Sequence, residues 1–307
     1  MSANVETMFY VRETPWHGLG TRVEEALTSE EALKKAGLDW TVEGKPVFDG
    51  NGNVIKGYMA NTRSSDGSVL GIVGSRYTVL QNVEGFTFTD SLVGEGLVYD
   101  TAGSLRNGKQ IWLLGKMPER YIVGDKVEPY ICFTNTHDGT SAIRVCMTPI
   151  RVVCNNTLNC ALQTADRKWS TAHRGDVMGR LEQARQTLQL ADQYLVALDE
   201  TADKLANEKF SDAQVEKALD EMFPLAEDAT DRQKRTVKEA KDEIIVCMLR
   251  PDIAQFLNTK WGFINAVSDY VGHSEPARRT ANFEENRWGN IIGGHPLLDR
   301  AMTAVGA

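Results

Sequence analysis

The hydrophobic pattern of this chain changes period near residue 175, and that change constrains the fold more than any other feature. Before it, short runs alternate apolar and polar residues and are separated by turn-forming dipeptides. After it, Leu181, Ala184, Leu188, Ala191, Leu195, Leu198, Ala202 and Leu205 recur at three- and four-residue intervals. A period of two builds half-buried strands, and a period of 3.6 builds amphipathic helices. The expected class is therefore α+β: a mainly antiparallel, hairpin-rich sheet in residues 1–175, and a helical region in residues 176–307 that packs on it or mediates assembly. The 307 residues are enough for two domains of that kind.

Turn chemistry sharpens this reading. Thr28 and Glu31 have the spacing of a capping box, and Gly37 supplies a left-handed stop, which predicts a helix from Ser29 to Ala36. Trp40 to Phe48 reads as a strand closed by the turn-rich DGNGN. Asp66-Gly67, Asn107-Gly108 and His137-Asp138-Gly139-Thr140 each sit between β-like runs and predict three hairpins. Tyr77 to Leu80 is β-like, and Asn82 is expected to cap a helix running to Val93. Ile150 to Val153 leads to Asn155, a second candidate cap, for a helix through Leu162. Further helices are expected over Val177–Ala206, Ser211–Phe223 and Asp231–Leu249, and over Asp252–Val271 with a break at Gly262.

Charge and chemistry narrow the function classes. With 34 basic and 42 acidic residues the formal charge is −8, which disfavours a wholly electrostatic DNA coat and leaves room for a local basic face. No run is long and apolar enough to span a membrane, and the N-terminus has no apolar core of a secretory signal. Five cysteines without a CxxC pair argue against a disulfide framework and a zinc ribbon, so a reduced, cytoplasmic setting is expected. The five histidines are widely separated. Neither HExxH, GxSxG, a phosphate-binding P-loop nor a complete dinucleotide glycine fingerprint occurs, and no cofactor or metal is expected. Trp16-His17-Gly18-Leu19-Gly20 suggests a tight turn, either a plug on the sheet or a ligand-contacting loop.

The most unusual composition lies between Thr140 and Arg180. Arg144, Arg151, Arg167, Lys168, Arg174 and Arg180 face only Asp166 and Asp176, with Trp169 and His173 interleaved and Asn155 and Asn156 nearby. Cations suit backbone phosphates, and aromatic or guanidinium planes suit unstacked bases. Arg144, Arg151, Arg167, Lys168 and Arg174 are the leading phosphate-contact candidates, with Trp169 for stacking. Arg76 and Tyr77, and Arg106 and Lys109 beside the Asn107-Gly108 turn, are secondary. A solvated polar loop accounts for the same segment equally well.

Several blocks resemble one family: ETPWHGLG (13–20), VGSRYTVLQNVEGF (73–86), TAGSLRNGKQIWLL (101–114), TNTHDGTSA (134–142), TPIRVVCNNTLNCAL (148–162) and TKWGFINAVSDYVGH (259–273). They are similar to the phage/plasmid-like proteins of unknown function carried by bacteriophages, prophages and conjugative plasmids. That resemblance implies a protein of the bacterial host cytoplasm and supplies no mechanism. A weaker, architectural resemblance is to the single-strand annealing recombinases of phages, which form rings or filaments and hold DNA in a basic groove.

Three expectations follow. The first is a protein that binds nucleic acid, single-stranded DNA above all, and works as a homo-oligomer in recombination or replication. The second is an interaction or counter-defence protein whose acidic helices engage a host or phage protein, since residues 192–243 carry 15 acidic and 8 basic side chains. The third is an enzyme with a Cys/His site assembled in space, from Cys154 with His173 or His137.

Overall fold

The computed structural model describes residues 5–11, 21–23, 28–93, 98–151, 156–157, 168–273 and 294–307. Antiparallel sheets occupy the N-terminal half and helices the C-terminal half, so the fold is α+β as the change in period predicts. The chain divides into two compact units. The first comprises residues 1–118, 130–147 and 167–189, and the second residues 119–129, 148–166 and 190–307.

The first unit is built on two sheets. In the larger, β1 (Val5–Val11) pairs in parallel with β2 (Thr21–Val23) and antiparallel with β6 (Val98–Leu105). Next to β6 come β7 (Gln110–Lys116) and then β9 (Asp125–Thr136), with β10 (Ile143–Arg151) after it. β12 (Lys168–Thr171) adds to β10. The smaller sheet is the antiparallel run β3 (Val42–Phe48), β4 (Val54–Arg63) and β5 (Val69–Gly74). The Asn107-Gly108 hairpin forms as its turn chemistry requires. Arg106, Asn107 and Gly108 all have positive φ, at 54°, 57° and 80°, which Asn and Gly tolerate well.

Two described helices shape the core of this unit. α1 (Ser29–Lys35) carries the expected capping box: Glu31 N–H donates to Thr28 Oγ1, and Thr28 N–H to Glu31 Oε2. α2 (Asn82–Val93) lays Phe86 and Phe88 into the core, where Phe86 lies 6.3 Å from Tyr99 and Phe88 lies 6.2 Å from Phe133. Gly85 permits the approach, since a Cβ there would stand 2.7 Å from Cε1 of the buried Phe133 ring.

Several local expectations are corrected. Asn82 is the first residue of α2 rather than its cap. Gln81 precedes the helix and its N–H donates to Glu84 Oε2, while the Asn82 amide is spent on buried carbonyls. Residues 77–81 form no strand. Their polar groups bond elsewhere instead: Tyr77 and Thr78 N–H donate to the carbonyls of Gly74 and His173, Asn135 Nδ2 donates to Leu80 O at 3.1 Å, and the Gln81 side-chain amide clasps both backbone groups of Val42. Asn156–Thr157 form the short strand β11, so no helix covers them. The rest of that expectation lies outside the described residues, as does the Trp16–Gly20 loop.

In the second unit, β8 (Arg120–Ile122) turns back on the start of β9, and β11 pairs with the end of β10. Its described helices are the later part of α3 (Val177–Asn207), then α4 (Asp212–Met222), α5 (Asp231–Met248), α6 (Lys260–His273) and α7 (Pro296–Val305). Their shared core holds Leu219, Met222, Ile244, Trp261, Phe263 and Leu298, with the Phe210 and Phe263 rings 5.3 Å apart. The break expected at Gly262 falls earlier. A 3-10 turn at Ala254–Phe256 ends there, Asn258 adopts φ 62°, and Thr259 Oγ1 receives Gly262 N–H at the start of α6. Gly262 serves a close approach inside the helix, because a Cβ would sit 2.2 Å from Phe256 O.

Helix propensity alone makes Gly85→Ala stabilising by about 1 kcal/mol. The Phe133 contact reverses the sign, since overpacking a rigid core costs about 1–3 kcal/mol. Urea unfolding of Gly85→Ala is expected to show a lower midpoint than the parent; a higher one contradicts this packing.

Candidate functional site

In the first unit, one face of the small sheet packs on the β9–β10 turn. A Cβ on Gly71 would lie 2.5 Å from Asp138 Cα, and Asn61 Nδ2 donates to His137 O at 2.7 Å. The anchor beneath is a buried polar network. Asn82 Nδ2 donates to the carbonyls of Leu38 (2.9 Å) and Trp40 (3.3 Å), which leaves Asn82 Oδ1 to accept from His137 Nε2 at 3.0 Å. This fixes the His137 tautomer with its lone pair on Nδ1. Burial, reinforced by neighbouring His173 and only partly offset by Asp138, pushes the His137 pKa down to about 3. His137 is therefore a neutral structural group, with Trp40 edge-on to its ring at 5.5 Å.

Beside this anchor lies a cleft of about 600 Å³. The turn that follows β5 forms one wall. Ser75 N–H donates to Gly57 O at 2.9 Å and Tyr77 N–H to Gly74 O at 2.8 Å, which brings Arg76 to the rim. The Asp138–Ala142 turn, residues Ala172–Arg174, and Tyr58 and Ile72 of the small sheet line the other sides. Tyr77 and His173 lock the two walls together. Their rings stack at 4.5 Å and 15°, Tyr77 Oη donates to Thr136 O at 2.5 Å, and Thr78 N–H donates to His173 O at 2.9 Å. His173 Nδ1 donates in return to Thr78 O at 3.1 Å, so its lone pair is on Nε2. Burial lowers the His173 pKa, and burial raises the Tyr77 pKa. Both rings are thus neutral near pH 7.

The charge of the cleft consequently comes from Arg76, Arg174 and Asp138. Asp138 is already engaged: Oδ1 accepts from Thr140 N–H (3.0 Å) and Thr140 Oγ1 (2.6 Å), and Oδ2 lies 4.0 Å from Arg106 Nη1. Arg76 and Arg174 are exposed, and among the described residues neither guanidinium has a carboxylate partner.

Four of the residues singled out from sequence thus converge here: Arg76, Tyr77, His173 and Arg174. Arg106 touches the cleft through Asp138 and donates to Gln110 Oε1 at 3.1 Å, while Lys109 gives its carbonyl to His137 N–H at 2.8 Å. Of the rest, Arg144, Lys168 and Trp169 lie on the β10–β12 ladder. Register pairs Arg144 with Ser170 and Cys146 with Lys168, so Arg144 and Lys168 share one face of the sheet. Trp169 is opposite Val145 on the other, half-buried, because successive strand residues point to opposite sides. Arg151 and Asn156 are backbone partners in the second unit, and Asn155 and Arg167 lie outside the described residues.

Cleft residues missed from sequence are Tyr58, Ile72 and Asp138. Asp138 had a signal in its turn, whereas Tyr58 and Ile72 read as ordinary strand positions. Cys154, and with it the expected Cys154–His173 pair, lies outside the described residues. The second unit has its own titratable cluster, centred on buried Asp269. Its carboxylate meets Arg250 Nη1 at 2.5 Å and His273 Nδ1 at 3.0 Å. Burial, then Asp269, push the Cys247 thiol up to about 12, which keeps it protonated and poorly nucleophilic. Among the described residues no group of three or more His, Cys, Asp or Glu is placed to hold a metal, and no helix is long and apolar enough to cross a membrane.

A family model, the domain of unknown function DUF932, matches residues 69–289, which include the β5 turn, the β9–β10 turn and Ala172–Arg174. The chain belongs to the DUF932 family. Comparison with curated proteins and with solved structures finds no match.

A neutral His137 has a measurable pH consequence. Its folded pKa of about 3 lies below the ordinary imidazole value of 6.5, so the unfolded chain binds the proton more readily between those limits. The His137 contribution is complete above pH 6.5 and declines as pH falls toward 3. His137→Gln keeps a donor for Asn82 and cannot titrate. Urea unfolding between pH 7 and 4 should lose stability less steeply in this variant, by up to ~1.4 kcal/mol per pH unit; parallel curves contradict the assignment.

Proposed function

We propose that this protein binds single-stranded nucleic acid, DNA foremost, with backbone phosphates held at the cleft between Arg76 and Arg174. One observation carries the reading. Two arginines about a hundred residues apart in sequence rim one cleft without a carboxylate partner among the described residues. Charged side chains usually pair when a partner is near, and guanidinium forks suit phosphate oxygens. An overall charge of −8 fits local binding better than a coat of positive charge. The blocks that resemble phage/plasmid-like proteins favour a mobile-element protein of a bacterial host cytoplasm, and the weaker architectural resemblance to single-strand annealing recombinases favours a homo-oligomer in recombination or replication.

Salt dependence tests this reading. Each phosphate contact on a single strand contributes about 0.7 to the slope of log K against log salt. Arg76→Ala/Arg174→Ala should bind a fluorescent thymidine oligomer at least about tenfold more weakly at low salt, with a slope smaller by about 1.4. Wild-type affinity and slope in a variant with unchanged thermal unfolding would overturn the proposal.

A further inference from the structure

The small sheet has one covered face and one open face. Gly71 and Asn61 are on the covered face, against Asp138 and His137. On the other face Tyr58 is opposite Gly74, and Ala60 is opposite Ile72. Tyr58 and Ile72 are therefore diagonal neighbours on one surface, close enough for an aromatic ring and an aliphatic side chain to form a continuous platform. Tyr58 is 55% and Ile72 59% exposed, and Gly74 has no side chain to crowd the ring. Both residues line the same cleft as Arg76 and Arg174. The Ser75 N–H to Gly57 O bond fixes the Arg76 turn beside the strand residue that precedes Tyr58.

We infer that Tyr58, backed by Ile72, is a stacking platform for an unpaired base whose flanking phosphates meet Arg76 and Arg174. This rests on the nucleic-acid reading above and deepens it by specifying the ligand as a strand with free bases. Charge complementarity selects the occupant. An apolar ring beside two unpaired cations matches a base attached to a phosphodiester, because every base offers a π-face and its backbone carries the anions. A duplex keeps its bases stacked inside and cannot place one on Tyr58 without unpairing it.

The test uses the whole chain and two probes of equal length, a thymidine oligomer and an abasic deoxyribose-phosphate oligomer. Tyr58→Ala should weaken thymidine-oligomer binding by about 5- to 160-fold, the range of a lost base stack, with an unchanged salt slope. Binding of the abasic oligomer should be unaltered, and Tyr58→Phe should retain wild-type affinity, since the ring rather than the hydroxyl does the stacking. Tyr58 is more than half exposed, so its removal leaves the core intact, and thermal unfolding verifies this. Equal binding of both probes by Tyr58→Ala and wild type, while the double arginine variant still loses affinity, overturns the platform and leaves the phosphate reading standing. An unaffected double arginine variant overturns both.

Discussion

The hydrogen bond between Asn82 and His137 is the constraint on which the cleft depends. Asn82 opens α2 and binds the carbonyls of Leu38 and Trp40, while His137 begins the β9–β10 turn and is tied through its own carbonyl to Asn61 of β4. One buried amide and one neutral imidazole thereby join α2, the small sheet and a hairpin of the large sheet. A buried polar group left unsatisfied costs about 1–3 kcal/mol, so these partners specify a single arrangement rather than a merely compact one. Asp138 follows His137 directly in the chain, and fixing the imidazole also places the acidic turn that lines the cleft.

That arrangement leaves an electrostatic asymmetry. The histidines near the cleft are neutral by burial, and its carboxylate is engaged by Thr140 with Arg106 at its margin. Arg76 and Arg174 keep their charge at the rim. In a chain of net charge −8, these two arginines make the rim a local positive patch rather than part of a general positive coat.

Much of the architecture is legible in the sequence because local chemistry agrees with the fold. Asn107-Gly108 makes a hairpin since both residues tolerate positive φ, and Thr28 with Glu31 makes a capping box since Glu31 stands three positions after the N-cap. The site is less legible. Asn82 has the residue type of a cap, and only long-range geometry shows its amide spent on Leu38 and Trp40. Lys168 and Trp169 look like a joint surface when read along the chain, yet β pairing sends them to opposite faces. Arg76 and Arg174 stand far apart in sequence, and the Tyr77–His173 stack that unites them follows from tertiary structure alone.

Photo-crosslinking with an oligonucleotide carrying 5-iododeoxyuridine, followed by mass-spectrometric mapping of the adducts, tests the central claim most directly. The account predicts adducts concentrated on the peptide containing Tyr58 and on those bearing Arg76–Tyr77 or His173–Arg174. Adducts confined to peptides remote from the cleft, or none under conditions of measurable binding, would contradict it.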